Sequence, residues 1–486
     1  MSARPFLAAG DLAPAYDLAV VGAGPAGLAA ATAAAGAGAS TLVIDEAAGP
    51  GGQMYRAITR IDPEVFRFLG PDYWGGLALA RAFQASGAGY APGATAWSLA
   101  GDGSGLELGV ALGGEARLLR ARRVILATGA LERPMPVPGW TLPGVMMAGA
   151  GQIALKSAGL VPEGQVVLAG CGPLLYLLAT QLLAAGARVA ALLDTTDPGQ
   201  WRKAAPHLPA FLGSGYLLKG LRLLFKLETS VRVVRGVTGL QALGDGRVQQ
   251  VRFRTARGWS AMAADLLFLH QGMAPEVHLA GAAGCGLEWN ERQRAFQPVL
   301  EGDGRTTVPG ISVAGDGAGI GGAAVAELSG RLAALDALDA IGALDPGRAR
   351  LREPLRQSLR RLRRCRPLLD ILYRPADAFR VPADDETTVC RCEEVRAGQI
   401  RAAIALGVPG PNQLKTFLRC GMGPCQGRLC ALTVTEMLAA TRRADPQAVG
   451  GFRLRAPVKP VTLGALASLP AGPDAYFAVT GELPPG

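Results

Sequence analysis

The stretch Tyr16 to Glu46, YDLAVVGAGPAGLAAATAAAGAGASTLVIDE, constrains this chain more than any other. Leu18 to Val21 is a short apolar strand. Gly22, Gly24 and Gly27 follow with the spacing G-x-G-x-x-G, then an Ala-rich helix, then a second strand, Thr41 to Ile44, that ends on two acids. Glycines set between strand and helix in one β-α-β unit, with an acid closing the second strand, predict a nucleotide-binding fold rather than simple helix-on-sheet packing. The first glycine permits the tight turn, the second lets backbone approach a pyrophosphate, and the third lets helix pack close to strand. Pro25 and Ala26 begin the helix, whose unpaired N–H groups and dipole favour phosphate. Glu46, with Asp45 as the alternative, is expected to hold the ribose hydroxyls.

A chain of 486 residues has room for about three domains. With 49% apolar and 18% charged residues it reads as globular rather than disordered. The net charge of +10 does not by itself make a nucleic-acid binder, because no nucleic-acid module accompanies it; an acidic partner protein or small anions fit as well. The opening MSARPFLAAGDLAPAYD lacks the continuous apolar core of a signal peptide, and no apolar run reaches membrane-spanning length. A cytoplasmic protein is expected, with peripheral contact on the inner face of a membrane as its extension.

Along the chain, Gly51, Gly52 and Gln53 form a Gly-rich loop after Glu46 that either wraps a cofactor or merely connects elements. The segment ARRVILATGA gives a buried-type strand, Val124 to Ala127, and a turn at Thr128, Gly129 and Ala130. Four prolines between Pro134 and Pro143 mark a crossover, after which a second unit begins. Its strand Gln165 to Ala169, Gly170 and Gly172, a helix, and a strand ending on Asp194 repeat the first pattern, but Leu175 replaces the third glycine. Rossmann topology is expected there more than tight binding of a second nucleotide at Gly170, Gly172 and Asp194. Residues 201–235, WRKAAPHLPAFLGSGYLLKGLRLLFKLETSVRVVR, read as a core helix or as a docking face for another subunit or a membrane surface. ISVAGDGAGI brings a further strand and a glycine turn with an acid, Gly315 and Asp316. Arginines at helical spacing in 346–366 read as a solvated face or a seat for an acidic partner.

Five of the eight cysteines crowd into Cys390 to Cys430, which favours metal chemistry over disulfides. Cys390 and Cys392 lie in TTVCRCEEV, and Cys420 and Cys425 in LRCGMGPCQGRLC. Four thiolates from two loops suit iron–sulfur ligation, with glycines freeing backbone N–H groups for the sulfurs; a structural zinc site is the alternative. Cys430 falls where a helix should begin and reads as core, though it competes with Cys425 as the fourth ligand. Cys171, Cys285 and Cys365 are isolated, and His207, His270 and His278 read as structural. No Ser-His-Asp set or persuasive carboxylate pair is present.

Three separated pieces, Gly22 to Glu46, Thr128 to Ala130 and Gly315 to Gly317, resemble in order the thioredoxin-reductase-like and glutathione-reductase-like flavoproteins. That resemblance implies FAD held by Gly22, Gly24, Pro25, Ala26, Gly27, Glu46, Gly52, Gln53, Thr128, Gly129, Gly315 and Asp316, with Asp316 on the ribitol or pyrophosphate region. The departure is the missing redox Cys pair, without which no thiolate can relay hydride equivalents to a disulfide. C-x-C followed by CGMGPCQG is similar to the bacterioferritin-associated-ferredoxin-like [2Fe-2S] domain, although Cys420 and Cys425 are spaced more widely than its C-x-x-C. It implies a [2Fe-2S] cluster on Cys390, Cys392, Cys420 and Cys425. Over nearly the whole chain the combination resembles the larger subunits of opine oxidases, hydrogen cyanide synthase and D-hydroxyproline or related proline dehydrogenases. In that family an amino-acid-oxidase-like flavoprotein subunit is the expected partner, joined in some members by a small ferredoxin-like subunit.

The expected fold is therefore α/β, with two Rossmann-like dinucleotide-binding domains and a small α-rich, four-cysteine C-terminal domain. The expected boundaries are 1–140 with 272–345 for FAD, 141–271 for the second unit, 346–384 for an Arg-rich helical linker, 385–445 for the cluster and 446–486 for an extended tail. The expected function is electron transfer in a hetero-oligomeric amino or imino acid or opine dehydrogenase. Rival readings are a self-sufficient NAD(P)H-dependent flavin reductase and a non-enzymatic iron-sensing module. Substrate and direction of electron flow are not written in the sequence.

Overall fold

The computed structural model describes residues 6–101, 105–470 and 472–483. Its first sheet is built on the strand Ala15–Val21, flanked in parallel by Thr41–Asp45 and by Glu115–Leu126. Gly89–Pro92 extends one edge, while Leu106–Leu112 and Thr95–Gly101 extend the other as an antiparallel meander. The long strand Glu115–Leu126 changes partner along its length. Its first part pairs with Leu106–Leu112, and its end pairs with Ile311–Val313, so that Ile125 lies opposite both Val20 and Ser312. Leu18, Val20, Leu42, Val43, Val124 and Ile125 are almost wholly buried, as parallel strands covered on both faces must be.

The Ala-rich helix Pro25–Ala35 covers this sheet and packs against a second small-residue helix, Ala323–Ala340. Their approach is close enough that a Cβ on Gly330 would sit 2.0 Å from the Ala26 carbonyl oxygen. A chain segment more than 280 residues downstream is thereby fixed beside the opening fingerprint.

The second sheet is wholly parallel, in the order Arg232–Val234, Arg188–Asp194, Gln165–Cys171, Leu266–Gln271, Val145–Met147. Helices Ala148–Ala158 and Pro173–Ala184 pack through Leu155, Leu175 and Leu178 on the face formed by Val166, Leu168 and Phe268. The other face is covered by a three-stranded antiparallel sheet, whose Leu240, Val251 and Phe253 meet Val167, Leu193 and Leu267.

Past residue 345 the chain is mostly helical. Arg352–Arg363 is a single helix, and its Arg356 is not simply solvated: it makes a two-pronged ion pair with the buried Asp303 at 2.7 and 2.8 Å. The cysteine-rich unit has its own apolar cluster, including Val389, Ile400, Leu414, Met437 and Leu438. A short hairpin, Thr388–Cys390 with Val395–Arg396, and helices Ala397–Ala405, Pro411–Leu418 and Ala431–Arg442 surround it. The tail, expected to be extended, opens on the short helix Pro446–Val449, has neither helix nor strand over 450–462, and is helical again over Leu463–Ala467 and Pro473–Thr480. It is tied back onto the first unit, where Val458 N–H donates to the Trp97 carbonyl (2.9 Å) and Ala116 N–H to Ser468 Oγ (2.8 Å).

Candidate functional site

The three fingerprint glycines do different work. Gly22 adopts φ +107° with its missing Cβ aimed at the Ala127 carbonyl oxygen, 2.3 Å away, so any side chain would collide with the neighbouring strand end. At Gly27 a Cβ would lie 1.8 Å from the Gly22 carbonyl oxygen, which is the close helix-to-turn crossing. Gly24 is the exception: a Cβ there would meet nothing nearer than Gly52 Cα at 3.9 Å. Its side is open, as backbone that receives a pyrophosphate must be. Pro25 and Ala26 form the first turn of the helix beyond it.

The two acids after the second strand are not equivalent. Asp45 is largely buried and already accepts from the backbone N–H groups of Ala23 and Ala47, the latter at 2.6 Å. Burial raises its pKa above the usual carboxylate range against those hydrogen bonds. Asp45 thus holds the turn. Glu46 is half-exposed and lines the cavity, with one oxygen 3.0 Å from Lys459 Nζ.

The cavity itself has a volume of about 880 Å³. Of the residues expected at FAD, Gly22, Gly24, Pro25, Ala26, Glu46, Gly52, Gln53, Thr128, Gly129, Gly315 and Asp316 all line it, whereas Gly27 lies behind the turn. Gly315 is pressed against the fingerprint helix, a Cβ at that residue being 2.9 Å from Ala26 Cβ. One oxygen of Asp316 accepts from Gly321 and Gly322 N–H at 2.8 and 2.9 Å, which shapes the loop into helix Ala323–Ala340. Carboxylates and open glycine backbone converging on one cavity fit a dinucleotide.

The second unit keeps the shape and fills the site with its own groups. Leu175 occupies the third-glycine position, fully buried. Asp194 is buried, and its two oxygens accept from the Tyr176 hydroxyl and from Thr196 N–H, both at 2.8 Å. Tyr373, from the segment after helix Arg366–Leu372, packs edge-on against Tyr176. Gly170 and Gly172 retain positive φ. Cys171 between them is buried, and burial, then the Asp194 charge, push its thiol up to about 12. That is the state of an inert thiol rather than an attacking thiolate.

Lys156 escapes a motif search because it is one cation in an apolar helix, AGAGQIALKSA. It is 2% exposed, and its ammonium donates to the carbonyl oxygens of Gln53 (3.1 Å) and Met54 (3.0 Å) and to Gln152 Oε1 (3.0 Å). Gln152 in turn donates to Gln181, and Gln181 to the Leu69 carbonyl. A satisfied polar chain therefore joins two helices of the second unit to the Gly51–Met54 loop of the first. Burial, then Arg56, pull the Lys156 pKa down to about 7.

In the C-terminal unit the sulfurs of Cys390, Cys420 and Cys430 lie within 4.8 Å of one another, all buried. Cys392 meets the backbone amide and thiol of Cys425, and both are half-buried. The sequence places Cys430 in the core; the structure makes it both core and a member of the thiol group, because the helix Ala431–Arg442 starts one residue later and aims its N-cap at Cys390. Hydrogen bonds from the Cys420 and Cys430 thiols, then the amides of Gly421 and Glu393, hold Cys390 far below the ordinary thiol range, while Cys420 and Cys430 are pushed up. An all-thiol set with amide N–H groups turned toward sulfur fits an iron–sulfur cluster and also tetrahedral zinc.

The thiol group is tied directly to the cavity. Arg428, between Cys425 and Cys430, lines the cavity and pairs with Glu276 at 3.1 Å, while donating to the carbonyls of Val458 (2.8 Å) and Cys425 (3.4 Å). His278 lies 2.7 Å from the same carboxylate oxygen and reaches the Gln426 carbonyl at 3.2 Å. Glu276 N–H donates to the Gly129 carbonyl, and Thr128 Oγ1 donates to the Glu276 carbonyl. Burial works to raise the Glu276 pKa, but His278 and Arg428 outweigh it and hold the carboxyl below its usual range. No motif announces Glu276; only the sheet return brings it to the turn. His270, buried, pairs with Glu132 in the same structural manner.

Residues 16–330 match the family model described as pyridine nucleotide-disulphide oxidoreductase, and residues 385–469 match that of the sarcosine oxidase A3 domain. Among characterised relatives, the chain is 53% identical to an opine oxidase subunit of Rhizobium meliloti, spanning all of this chain and 93% of that one. It is 52% identical to the corresponding opine oxidase subunit of Agrobacterium tumefaciens (strain Ach5), spanning 100% and 98%. Hydrogen cyanide synthase subunit HcnB of Pseudomonas aeruginosa is 35% identical over 93% of this chain and 98% of its own. In fold, the chain is similar to L-proline dehydrogenase from P. horikoshii, with TM-score 0.69 and 18% identity, over 93% of this chain and 79% of that one.

Proposed function

The chain belongs to the opine oxidase family of flavin oxidoreductase subunits, and from that premise we propose that it is the FAD- and [2Fe-2S]-containing electron-transfer subunit of a hetero-oligomeric oxidase acting on the C–N bond of an opine or another amino or imino acid. The observation that carries the reading is Arg428: one side chain, set between two cysteines, reaches the cavity lined by the fingerprint residues. Gly22, Gly24, Pro25, Ala26, Gly27, Gly52, Gln53, Thr128, Gly129, Gly315 and Asp316 would hold FAD, with Glu46 on the ribose. Cys390, Cys392, Cys420 and Cys425 would hold the cluster, and Cys430 supplies a fifth thiol beside them. A bound flavin accepts electrons in pairs or singly and a cluster singly, so a chain holding both couples a two-electron oxidation to a one-electron acceptor.

This chain's residues bind and separate rather than attack. Asp45 and Gly27 fix the turn, Lys156 fixes the Gln53 loop, and the Glu276–Arg428 pair fixes the cysteine loop to the Thr128–Gly129 turn. Cys171 is inert and, among the described residues, has no second thiol beside it, which argues against disulfide reduction. The engaged Asp194 argues against a second dinucleotide as the reductant. The matched relatives are named as subunits of an oxidase and of a synthase, which supports placing substrate chemistry on an amino-acid-oxidase-like partner.

Anaerobic purification tests the reading. Iron and FAD bound to the same chain, with a visible cluster spectrum, are expected, and NADH or NADPH should leave the flavin colour unbleached. A colourless zinc protein, or rapid bleaching by NADH, sinks it.

A further inference from the structure

Arg133 lines the large cavity beside the residues expected at FAD. It follows the Thr128–Gly129 turn and the short strand Ala130–Glu132, and its own N–H donates to the Gly272 carbonyl at 2.9 Å. The residue is only 3% exposed. Nη2 donates to the carbonyl oxygens of Gln293 (2.8 Å) and Arg294 (2.9 Å), and Nε is buried without a partner. Gln293 in turn brackets Ile320, donating to its carbonyl at 3.1 Å and accepting from its N–H at 2.9 Å, in the loop that Asp316 shapes. Arg133 is thus tied to two of the segments expected at FAD, the Thr128 turn and the Asp316 loop.

Its charge is unmatched. Among the described residues no carboxylate pairs with Arg133, and the buried carboxylate that acts on it, Glu436, is already taken by Arg294 at 3.2 Å and by Arg380. Those two arginines have further acids, Glu291 and Asp377. Burial pulls the Arg133 pKa down to about 10, with Glu436 working against that and Arg380 and Arg294 adding to it, so the side chain remains a cation at neutral pH. A buried cation without a counter-charge is costly. A native protein that keeps such a group points to a redox, catalytic or ligand-binding role for it.

Oxidised FAD carries its charge on the pyrophosphate, which suits the open side of Gly24 and the first turn of helix Pro25–Ala35. Its isoalloxazine ring is neutral. Uptake of two electrons and one proton gives that ring one negative charge, spread over N1 and the C2 carbonyl oxygen. A cation already fixed in a low-dielectric cavity stabilises the reduced ring more than the oxidised one, because nothing has to reorganise when the electrons arrive. We propose that Arg133 is the counter-ion of the reduced flavin, raising its potential so that the ring takes electrons from the amino or imino acid oxidised on the partner subunit. The inference rests on FAD as the ligand of this cavity.

The test uses the full, FAD-loaded chain. Photoreduction against a reference dye gives the flavin midpoint potential. Titration with sulfite, whose lone pair bonds to N5 and leaves the same negative charge on the ring, gives an adduct constant from the bleached flavin band. Arg133→Met is expected to lower the potential and to weaken the sulfite adduct at least about tenfold, the worth of one charge at short range in a partly screened interior, with FAD content unchanged. Arg133→Lys keeps the charge and should retain most of both. Should Arg133→Met shed its FAD, Arg133→Gln takes its place. The inference alone is overturned if FAD-loaded Arg133→Met keeps the wild-type potential and sulfite constant, if Arg133→Lys behaves as Arg133→Met does, or if both uncharged variants lose FAD, which would mark the residue as structural. A wild type that carries no FAD overturns the cofactor reading itself, and this inference with it.

Discussion

At Gly24 and Gly27 the same substitution has opposite meanings. Gly27→Ala drives a methyl into the Gly22 carbonyl and should cost about 1–3 kcal/mol of stability, read as a lowered melting temperature of the apoprotein. Gly24→Ala meets open space and should leave that temperature unchanged while weakening FAD retention on a desalting column. Glu46→Ala should weaken FAD binding by about ten- to hundredfold, the worth of a charge-assisted hydrogen bond, in a fluorescence titration. Lys156 gives a pH signature. Its folded pKa near 7 lies below the unfolded value, so the folded state loses this proton first. Stability then rises with pH from about 7 to about 10, where the unfolded lysine also deprotonates. Denaturant unfolding should show that rise in the wild type, and Lys156→Met should flatten it.

Elements decide which of these residues meet. Motif reading finds Gly22–Glu46, the Thr128–Gly129 turn and Gly315–Asp316 because each is a turn whose glycines are required locally, by positive φ or close approach. It finds neither Glu276 nor Arg428, because neither needs a special backbone; their importance comes from the sheet return after Leu266–Gln271 and from the loop that ends at Cys430. Glu276→Gln leaves Arg428 buried without its counter-charge and should cost about 3 kcal/mol. Hydrogen exchange should show the loss as faster amide exchange across residues 421–430 and at Gly129 together. Exchange confined to one of the two would mean that the bridge does not couple them. The same scale explains Asp194: the strand end carries the expected acid, but the neighbouring helix supplies Tyr176 to consume it.

For the whole molecule, the C-terminal unit has its own apolar cluster and meets the rest through polar ties, among them the Arg294–Glu436 ion pair at 3.2 Å and Trp140 Nε1 donating to the Thr388 carbonyl at 2.7 Å. Cys420→Ser should therefore remove bound iron while FAD stays near one per chain. Loss of both would mean that the two units fold as one. The sequence alone determined the doubly Rossmann-like α/β fold, the fingerprint and the presence of a multi-cysteine centre, because strand and helix periodicity, glycine backbone demands and cysteine spacing are all local. Only the tertiary structure decided that Asp45 is spent on the turn and Glu46 faces the cavity, that Cys430 joins the thiol group, and that Arg428 ties that group to the fingerprint. Those outcomes depend on burial and on contacts between residues far apart in sequence, and no local pattern encodes which buried partner a side chain will find.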